Sequence, residues 1–96
     1  MKQNEVVKQA VGIDISMKSF YAVYKVLKQD GKVTIKGSKS FDNSVTGMKL
    51  FYTWCNARDK TPNCSPIFVM EATGVYYEDL AYFLYDRQEN VSIQLA

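Results

Sequence analysis

Two carboxylates stand in apolar segments of this 96-residue sequence, where acidic side chains are uncommon. Asp14 lies in the apolar run of residues 10–15, and Glu71 ends the apolar run of residues 66–71. Each run is typical of a buried strand, in which an unpaired carboxylate is costly because it loses its hydration. We therefore expect each carboxylate to meet a partner. The remaining acidic residues fall in predicted turns, loops or solvated helix faces.

The chemistry open to this pair depends on whether the two side chains converge. Two carboxylates within a few ångströms repel each other, so they must share a proton or a cation. Oxygen ligands suit Mg²⁺ or Mn²⁺, which protein carboxylates commonly hold together with substrate phosphate. Such cations can activate a nucleophile and stabilise a leaving oxygen in phosphodiester chemistry. The alternative is structural: Asp14 caps the following turn, and Glu71 accepts hydrogen bonds from the start of the next helix.

Composition excludes several other kinds of site. The sequence contains no histidine, which rules out histidine general bases, histidine metal ligands and serine–histidine triads. Cys55 and Cys64 have no companion ligands at the spacing of a zinc site, so zinc is not expected. A net charge of +2 permits a polyanionic partner without arguing for one. With 47% apolar and 23% charged residues, the chain has the composition of one small globular domain.

The N-terminal segment does not have the pattern of a targeting signal. Residues 1–9 are mainly polar and lack the apolar core of a secretory signal, and no run reaches the length of a membrane span. These features favour a cytoplasmic protein with reduced cysteines and no membrane partner. We expect residues 1–9 to form a flexible N-terminus and residues 10–96 to form the folded unit. The sequence ends on an apolar, strand-like segment, which favours a fragment of a longer protein.

The elements that must position the carboxylates begin with three predicted strands. Residues 10–15 form a first strand that is apolar on both faces and is therefore expected to be central in its sheet, and residues 19–28 form a second. Asp30 and Gly31 then predict a hairpin turn. A third strand over residues 33–41 alternates apolar with polar residues, and its lysines suit the edge of a sheet.

The hydrophobic period then changes from that of a strand to that of a helix. Apolar residues at helical spacing predict helices over residues 44–58 and about 75–88. Strands are predicted over residues 66–71 and 91–95. The fold class is therefore α/β, with the element order β-β-β-α-β-α-β. Right-handed crossovers give a mixed sheet of strand order 3-2-1-4-5 with helices packed on it, so that both carboxylates lie toward the carboxyl ends of neighbouring parallel strands.

Two segments of the sequence resemble a known family. One is the opening run, Val11-Gly12-Ile13-Asp14-Ile15-Ser16-Met17-Lys18, which precedes a strand and a hairpin. The other is Phe68-Val69-Met70-Glu71-Ala72-Thr73-Gly74-Val75-Tyr76-Tyr77. Together, at this separation, they resemble the amino-terminal RuvC-like (RNase H-like) domain of DEDD insertion-sequence transposases. The resemblance covers residues 10–95.

The resemblance implies a function, cofactors and partners. It makes Asp14 and Glu71 the first two of four acidic ligands for Mg²⁺ or Mn²⁺ in DNA transposition by metal-dependent phosphodiester chemistry. The family's third and fourth acids, an Asp-x-x-Asp pair after the last strand, do not occur before Ala96. Residues 10–96 are therefore expected to be a RuvC-like catalytic-domain fragment that is inactive alone. For the full-length protein the resemblance implies DNA binding, a homo-oligomeric state and, as in some members, a guide RNA.

Five further residues within these two segments are candidates for contact with nucleic acid. They are Ser16, Lys18, Thr73, Gly74 and Tyr76. Tyr76 offers an aromatic face to an unpaired base, and Ser16 and Lys18 can approach phosphate from the turn after the first strand. The structural alternative makes Ser16 and Lys18 surface turn residues, Thr73 a helix N-cap, Gly74 a turn residue and Tyr76 a packing residue.

Two other functions stay open on the sequence alone. An actin-like or sugar-kinase-like ATPase lobe also opens with a strand, an aspartate and a hairpin, and Gly12-Ile13-Asp14 fits that pattern. Such lobes usually carry glycines after the aspartate, whereas Ile15-Ser16-Met17-Lys18 has none, and the position of Glu71 is not explained by them. The third class is a non-catalytic nucleic-acid-binding or assembly domain, in which the carboxylates are structural.

Overall fold

The computed structural model describes residues 5–72 and 74–95, which form a five-stranded sheet and two helices. The elements are, in chain order, β1 (Val6–Ile15), β2 (Ser19–Lys28), β3 (Val33–Asp42), α1 (Val45–Arg58), β4 (Ile67–Ala72), α2 (Glu78–Asp86) and β5 (Asn90–Leu95). The strand order is β3-β2-β1-β4-β5, and β1 pairs in parallel with β4. The predicted α/β class, element order and strand order are confirmed. Neither helix of the described chain has the length and apolar character needed to span a membrane.

The core lies between the two helices and one face of the sheet. Alternate residues of β1, among them Val11 and Ile13, are buried in the same cluster as Leu80 and Leu84 of α2. The intervening residues of β1 point to the opposite face, on which Asp14 is exposed. The predicted central position of β1 in the sheet is confirmed, but only one face of the strand is covered, because α1 and α2 both pack on the same side. Asp14 therefore keeps access to water.

Helix α1 is capped at its start and fixed to the sheet by aromatic rings. The Ser44 hydroxyl accepts a hydrogen bond from the Gly47 backbone N–H at 3.1 Å, which satisfies a free donor of the first turn. Phe51 is fully buried. Its ring contacts three rings of the sheet, those of Phe20, Phe41 and Phe68. Because these rings belong to β2, β3 and β4, the helix is anchored to strands on both sides of β1.

Strand β1 includes residues 6–9, which the sequence predicted to be part of a flexible N-terminus. The polar Gln9 is only 1% exposed, and it is stable there because its amide has partners. Its Oε1 accepts a hydrogen bond from the Tyr24 hydroxyl at 3.0 Å. Its Nε2 donates to Asp59 Oδ1 at 2.9 Å and to the carbonyl oxygen of Cys64. Gln9 thus ties the start of the strand to the loop that follows α1.

Strand β3 contains a bulge that the predicted alternation did not include. Its register with β2 shifts between the pairs Tyr24–Gly37 and Lys25–Ile35. A bulge inserts one residue into a strand and so changes which side chains share a face. Ile35, predicted on the apolar side of the strand, is 63% exposed. The hairpin before this strand is confirmed at Gly31, whose positive φ of 88° suits glycine.

Alkaline pH is expected to destabilise the protein through Cys55. Burial raises the pKa of this thiol from its ordinary 9.0 to about 12. The pKa of the thiol is higher in the folded protein than in the unfolded chain. The free energy of unfolding is therefore unaffected by this thiol below pH 9, and it falls as the pH rises from 9 toward 12. The loss approaches about 1.4 kcal/mol per pH unit. Urea unfolding at pH 8, 9.5 and 11 measures it, and Cys55→Ala should give a shallower decline; an unchanged decline would contradict the assignment.

Candidate active site

Asp14 and Glu71 lie side by side on neighbouring parallel strands. They are register partners in the pairing of β1 with β4, at the carboxyl ends of both strands. Adjacent strands lie about 4.8 Å apart, and side chains in register point to the same face of the sheet. Both residues are exposed. The predicted adjacency of the two strands is confirmed, whereas the expectation that both carboxylates are buried is wrong.

The two carboxylates form the centre of a polar row that crosses the whole sheet. Register partners link Ser40 with Tyr21, Tyr21 with Asp14, Asp14 with Glu71, and Glu71 with Gln94. We call these five residues the carboxylate row. Tyr21 is 47% exposed, so its ring and hydroxyl are available beside Asp14. Tyr21 and Gln94 were not predicted from the sequence, because only the strand register shows that they are level with the acids.

A shallow depression of about 330 Å³ adjoins the carboxylate row. Besides residues of the row, its lining includes Gly12, Val23, Lys25 and Val69. Gly12 leaves the floor low, since a Cβ atom added there would meet no heavy atom within 4 Å. The carboxylates therefore stand at the end of an open, partly apolar surface that a large substrate can approach.

The turn after β1 places Ser16 and Lys18 beside the carboxylate row with exposed side chains. Ser16 closes this turn: its backbone N–H and its hydroxyl both donate to the Ser19 carbonyl oxygen at 2.9 Å. The hydrogen bonds between Ser16 and Ser19 thus close the turn, so Asp14 is not required to cap it. The exposure of Ser16 and Lys18 fits either a surface turn or a contact with phosphate, so their proposed binding role stays a prediction.

The turn after β4 places Tyr76 near the same edge of the sheet. Gly74 has a φ of 79°, which confirms its predicted role as a turn residue. Tyr76 is 45% exposed, whereas Tyr77 is partly buried and packs against the core. Thr73, the fifth of the predicted nucleic-acid contacts, lies outside the described residues. The exposed ring of Tyr76 leaves base stacking open as its function.

Helix α2 begins later than the sequence predicted. Its first residue is Glu78, and its N-cap is Tyr77, which makes no side-chain capping bond. The prediction of a helix from about residue 75 was wrong at this end, because Gly74 and the three residues after it form a turn. The same turn separates Glu71 from the first turn of α2. The alternative in which that turn donates hydrogen bonds to Glu71 therefore has less support.

The carboxylate oxygens of the row are suitable ligands for a hard divalent cation that binds few protein groups. Within residues 5–72 and 74–95, no three His, Cys, Asp or Glu side chains come together in a group that could hold a metal ion. Asp14 and Glu71 alone supply two neighbouring carboxylates. Mg²⁺ is commonly held by one or two carboxylates, with water and substrate phosphate completing its shell. The two acids are thus suitable ligands for such a cation, and they are two of the four acidic ligands that the predicted site requires.

Comparisons with known proteins identify structural neighbours only. No protein-family model and no curated protein sequence matches the chain. The yeast mitochondrial Holliday junction resolvase Ydc2 superposes with a TM-score of 0.59 at 16% identity, over 96% of this chain and 54% of the resolvase. The diol dehydratase-reactivating factor, in its nucleotide-free form, gives 0.52 at 17% identity, over 68% of this chain and 12% of the factor. The PPX-GPPA enzyme of Aquifex aeolicus superposes with a TM-score of 0.50 at 14% identity, over 92% of this chain and 36% of the enzyme.

These likenesses show the fold. The mixed sheet of order 3-2-1-4-5, with helices packed on it, is RNase H-like, as in the resolvase. The chain spans about half the length of the resolvase and smaller shares of the other two proteins. The neighbours thus include a nuclease that acts on Holliday junctions and an enzyme of a different class.

Proposed function

We propose that this chain is part of the catalytic domain of an enzyme that cuts or rejoins DNA by metal-dependent phosphodiester chemistry. More narrowly, we propose a DEDD insertion-sequence transposase. The observation that carries the proposal is the register of Asp14 with Glu71 on adjacent parallel strands. A nucleotide-binding lobe accounts for the aspartate at the end of the first strand but leaves the second carboxylate beside it without a purpose.

The two carboxylates would hold Mg²⁺ or Mn²⁺ between them. When bound, such a cation supplies positive charge for a phosphate oxygen and lowers the pKa of a nucleophilic hydroxyl or water. Asp14 and Glu71 fix where that charge sits, at the open edge of the sheet. Ser16, Lys18 and Tyr76, together with Thr73 and Gly74, are proposed to contact the nucleic acid from the two turns that flank the carboxylates.

The rest of the assignment concerns the complete protein. In the complete protein, two further acidic ligands would join Asp14 and Glu71, the two carboxylates that the row supplies. DNA as substrate, a guide RNA as used by some transposases, homo-oligomerisation and a cytoplasmic location all belong to the same proposal. The fold and the paired acids of residues 5–72 and 74–95 support only the catalytic-domain part of this proposal.

Loss of either carboxylate is expected to weaken cation binding at the row. In ¹⁵N-labelled protein, Mn²⁺ should broaden amide resonances near Asp14 and Glu71 selectively. Asp14→Asn and Glu71→Gln should each weaken this binding about tenfold or more, because a single carboxylate holds the cation poorly. Asp86→Asn, which removes the same charge at the exposed end of α2, should leave the titration unchanged.

Two results would count against the proposal. The first is broadening that persists at the row in both carboxylate variants, which would mean that groups other than Asp14 and Glu71 hold the cation there. The second is a rise of the melting temperature with ATP that does not depend on Glu71. That outcome would favour the actin-like interpretation, in which the chain binds a nucleotide.

A further inference from the structure

Asn43 connects the two loops that follow the carboxylate strands. It lies between β3 and α1, and its backbone N–H donates to the Lys18 carbonyl oxygen at 2.9 Å. Its side-chain Nδ2 donates to the Ser16 carbonyl oxygen at 3.1 Å and to the Tyr76 carbonyl oxygen at 3.1 Å. Ser16 and Lys18 belong to the loop after Asp14, whereas Tyr76 belongs to the loop between β4 and α2. One side chain therefore joins both sides of the candidate site.

The chemistry of the amide explains why asparagine fits this place. A primary amide presents two N–H groups from one nitrogen, and Asn43 directs one to each loop. Aspartate has the same shape but no donor when ionised, and serine or threonine has a single donor. Only a side chain with a short two-donor end group reaches both carbonyl oxygens from this position. The bridge is thus specific to the residue type.

The acceptor of the same amide argues against a purely stabilising role. Asn43 Oδ1 is buried, and no residue in the described chain donates a hydrogen bond to it. A buried acceptor without a partner opposes folding. Part of what the two donations gain is therefore lost again at Oδ1, and the arrangement is better explained by where it holds the loops than by the stability that it adds.

We propose that Asn43 is a positioning residue for the Asp14–Glu71 pair. By holding the two loops at a fixed separation, it limits how far the carboxyl ends of β1 and β4 can part under the repulsion of two neighbouring negative charges. The pair is then already in place when a divalent cation arrives. This inference rests on the proposed function, because it assigns the bridge to the same cation site.

The experiment compares Asn43→Ala and Asn43→Asp with Ser44→Ala. Ser44→Ala removes the capping bond to Gly47 in the same turn and leaves the Asn43 bridge intact. Mn²⁺ affinity is measured at the carboxylate row, global stability by urea unfolding, and loop opening by amide hydrogen exchange at residues 16–18 and 74–77. We expect both Asn43 variants to weaken Mn²⁺ binding about tenfold and to speed exchange in both loops.

Asn43→Asp makes the test sharp, because its added negative charge would by itself attract a cation. A loss of affinity in that variant can then only come from geometry. Ser44→Ala should lower global stability while changing Mn²⁺ affinity by less than about twofold, since it leaves both loops tied. Equal loss of affinity in all three variants, in proportion to stability, would overturn the positioning role.

The outcomes separate this inference from the function on which it rests. Selective Mn²⁺ binding by the unsubstituted protein, unaltered in both Asn43 variants, would overturn the positioning role alone. Absence of selective binding by the unsubstituted protein would overturn the proposed function together with the inference. Unchanged exchange in the loop at residues 74–77 would overturn the bridge, because both variants keep only the backbone bond from Asn43 to Lys18 and so lose the tie to Tyr76.

Discussion

Alanine at position 47 is expected to lower the free energy of unfolding by about 3 kcal/mol or more, since the added atom overlaps the backbone. A Cβ atom on Gly47 would lie 1.9 Å from the Asp42 carbonyl oxygen and 2.8 Å from its carbon. That carbonyl cannot easily move, because it accepts a hydrogen bond from the Ser44 N–H at 2.9 Å and Asp42 pairs with Ser19 in the sheet. Relief would require α1 to move away from the end of β3.

The matched control is the same substitution at Gly12. There a Cβ atom would meet no heavy atom within 4 Å, and the backbone does not have the positive φ that favours glycine. Gly12→Ala should be neutral or stabilising by up to about 1 kcal/mol, because alanine restricts the unfolded chain. Urea unfolding of both variants measures the difference. Similar stabilities for the two would contradict the close approach of α1 to Asp42.

Truncation of Phe51 to alanine is expected to cost about 3 to 5 kcal/mol, as for other large aromatic residues in cores. Phe51 is fully buried, and its ring lies 5.1 Å from that of Phe20 and 5.4 Å from that of Phe41. It also lies 6.0 Å from the ring of Phe68, so that one side chain packs against β2, β3 and β4. The cavity would release α1 from most of the sheet.

Its control is the neighbouring position on the same helix. Leu50 is 60% exposed, so Leu50→Ala should change stability by no more than about 0.5 kcal/mol. Thermal and urea unfolding, followed by far-ultraviolet circular dichroism, measure both variants. If Leu50→Ala were the more damaging of the two, the assignment of the core face of α1 would be wrong. A broad, non-cooperative transition for Phe51→Ala would agree with a loosened helix.

The sequence was sufficient for the fold because each element carries a local signal that agrees with the topology. Asp30 and Gly31 indicate the hairpin, the spacing of Met48, Phe51 and Cys55 indicates the buried face of α1, and the crossover rule then makes β1 and β4 neighbours. The position of Asp14 beside Glu71 follows from those steps. No local signal was needed at the acids themselves.

What the sequence could not supply depends on contacts between distant segments. An apolar run does not say how many faces of its strand are covered, so the exposure of Asp14 was not predictable from its neighbours. Gln9 is polar, and only its hydrogen bonds to Tyr24 and Asp59 explain its burial in a strand. The bridge from Asn43 to both loops likewise has no signature in the spacing of residues.

The order in which the sheet is paired has a consequence for the synthesis of the protein. β1, β2 and β3 form antiparallel pairs between consecutive segments, whereas β1 meets β4 only after α1 has crossed over. A nascent chain can therefore close the three-stranded meander with Asp14 in place before Glu71 has been translated. Any ribosome-bound or prematurely terminated copy that ends before β4 carries a single acid at that edge. The paired acids thus arise only after β4 has been synthesised, and copies that end before β4 lack them.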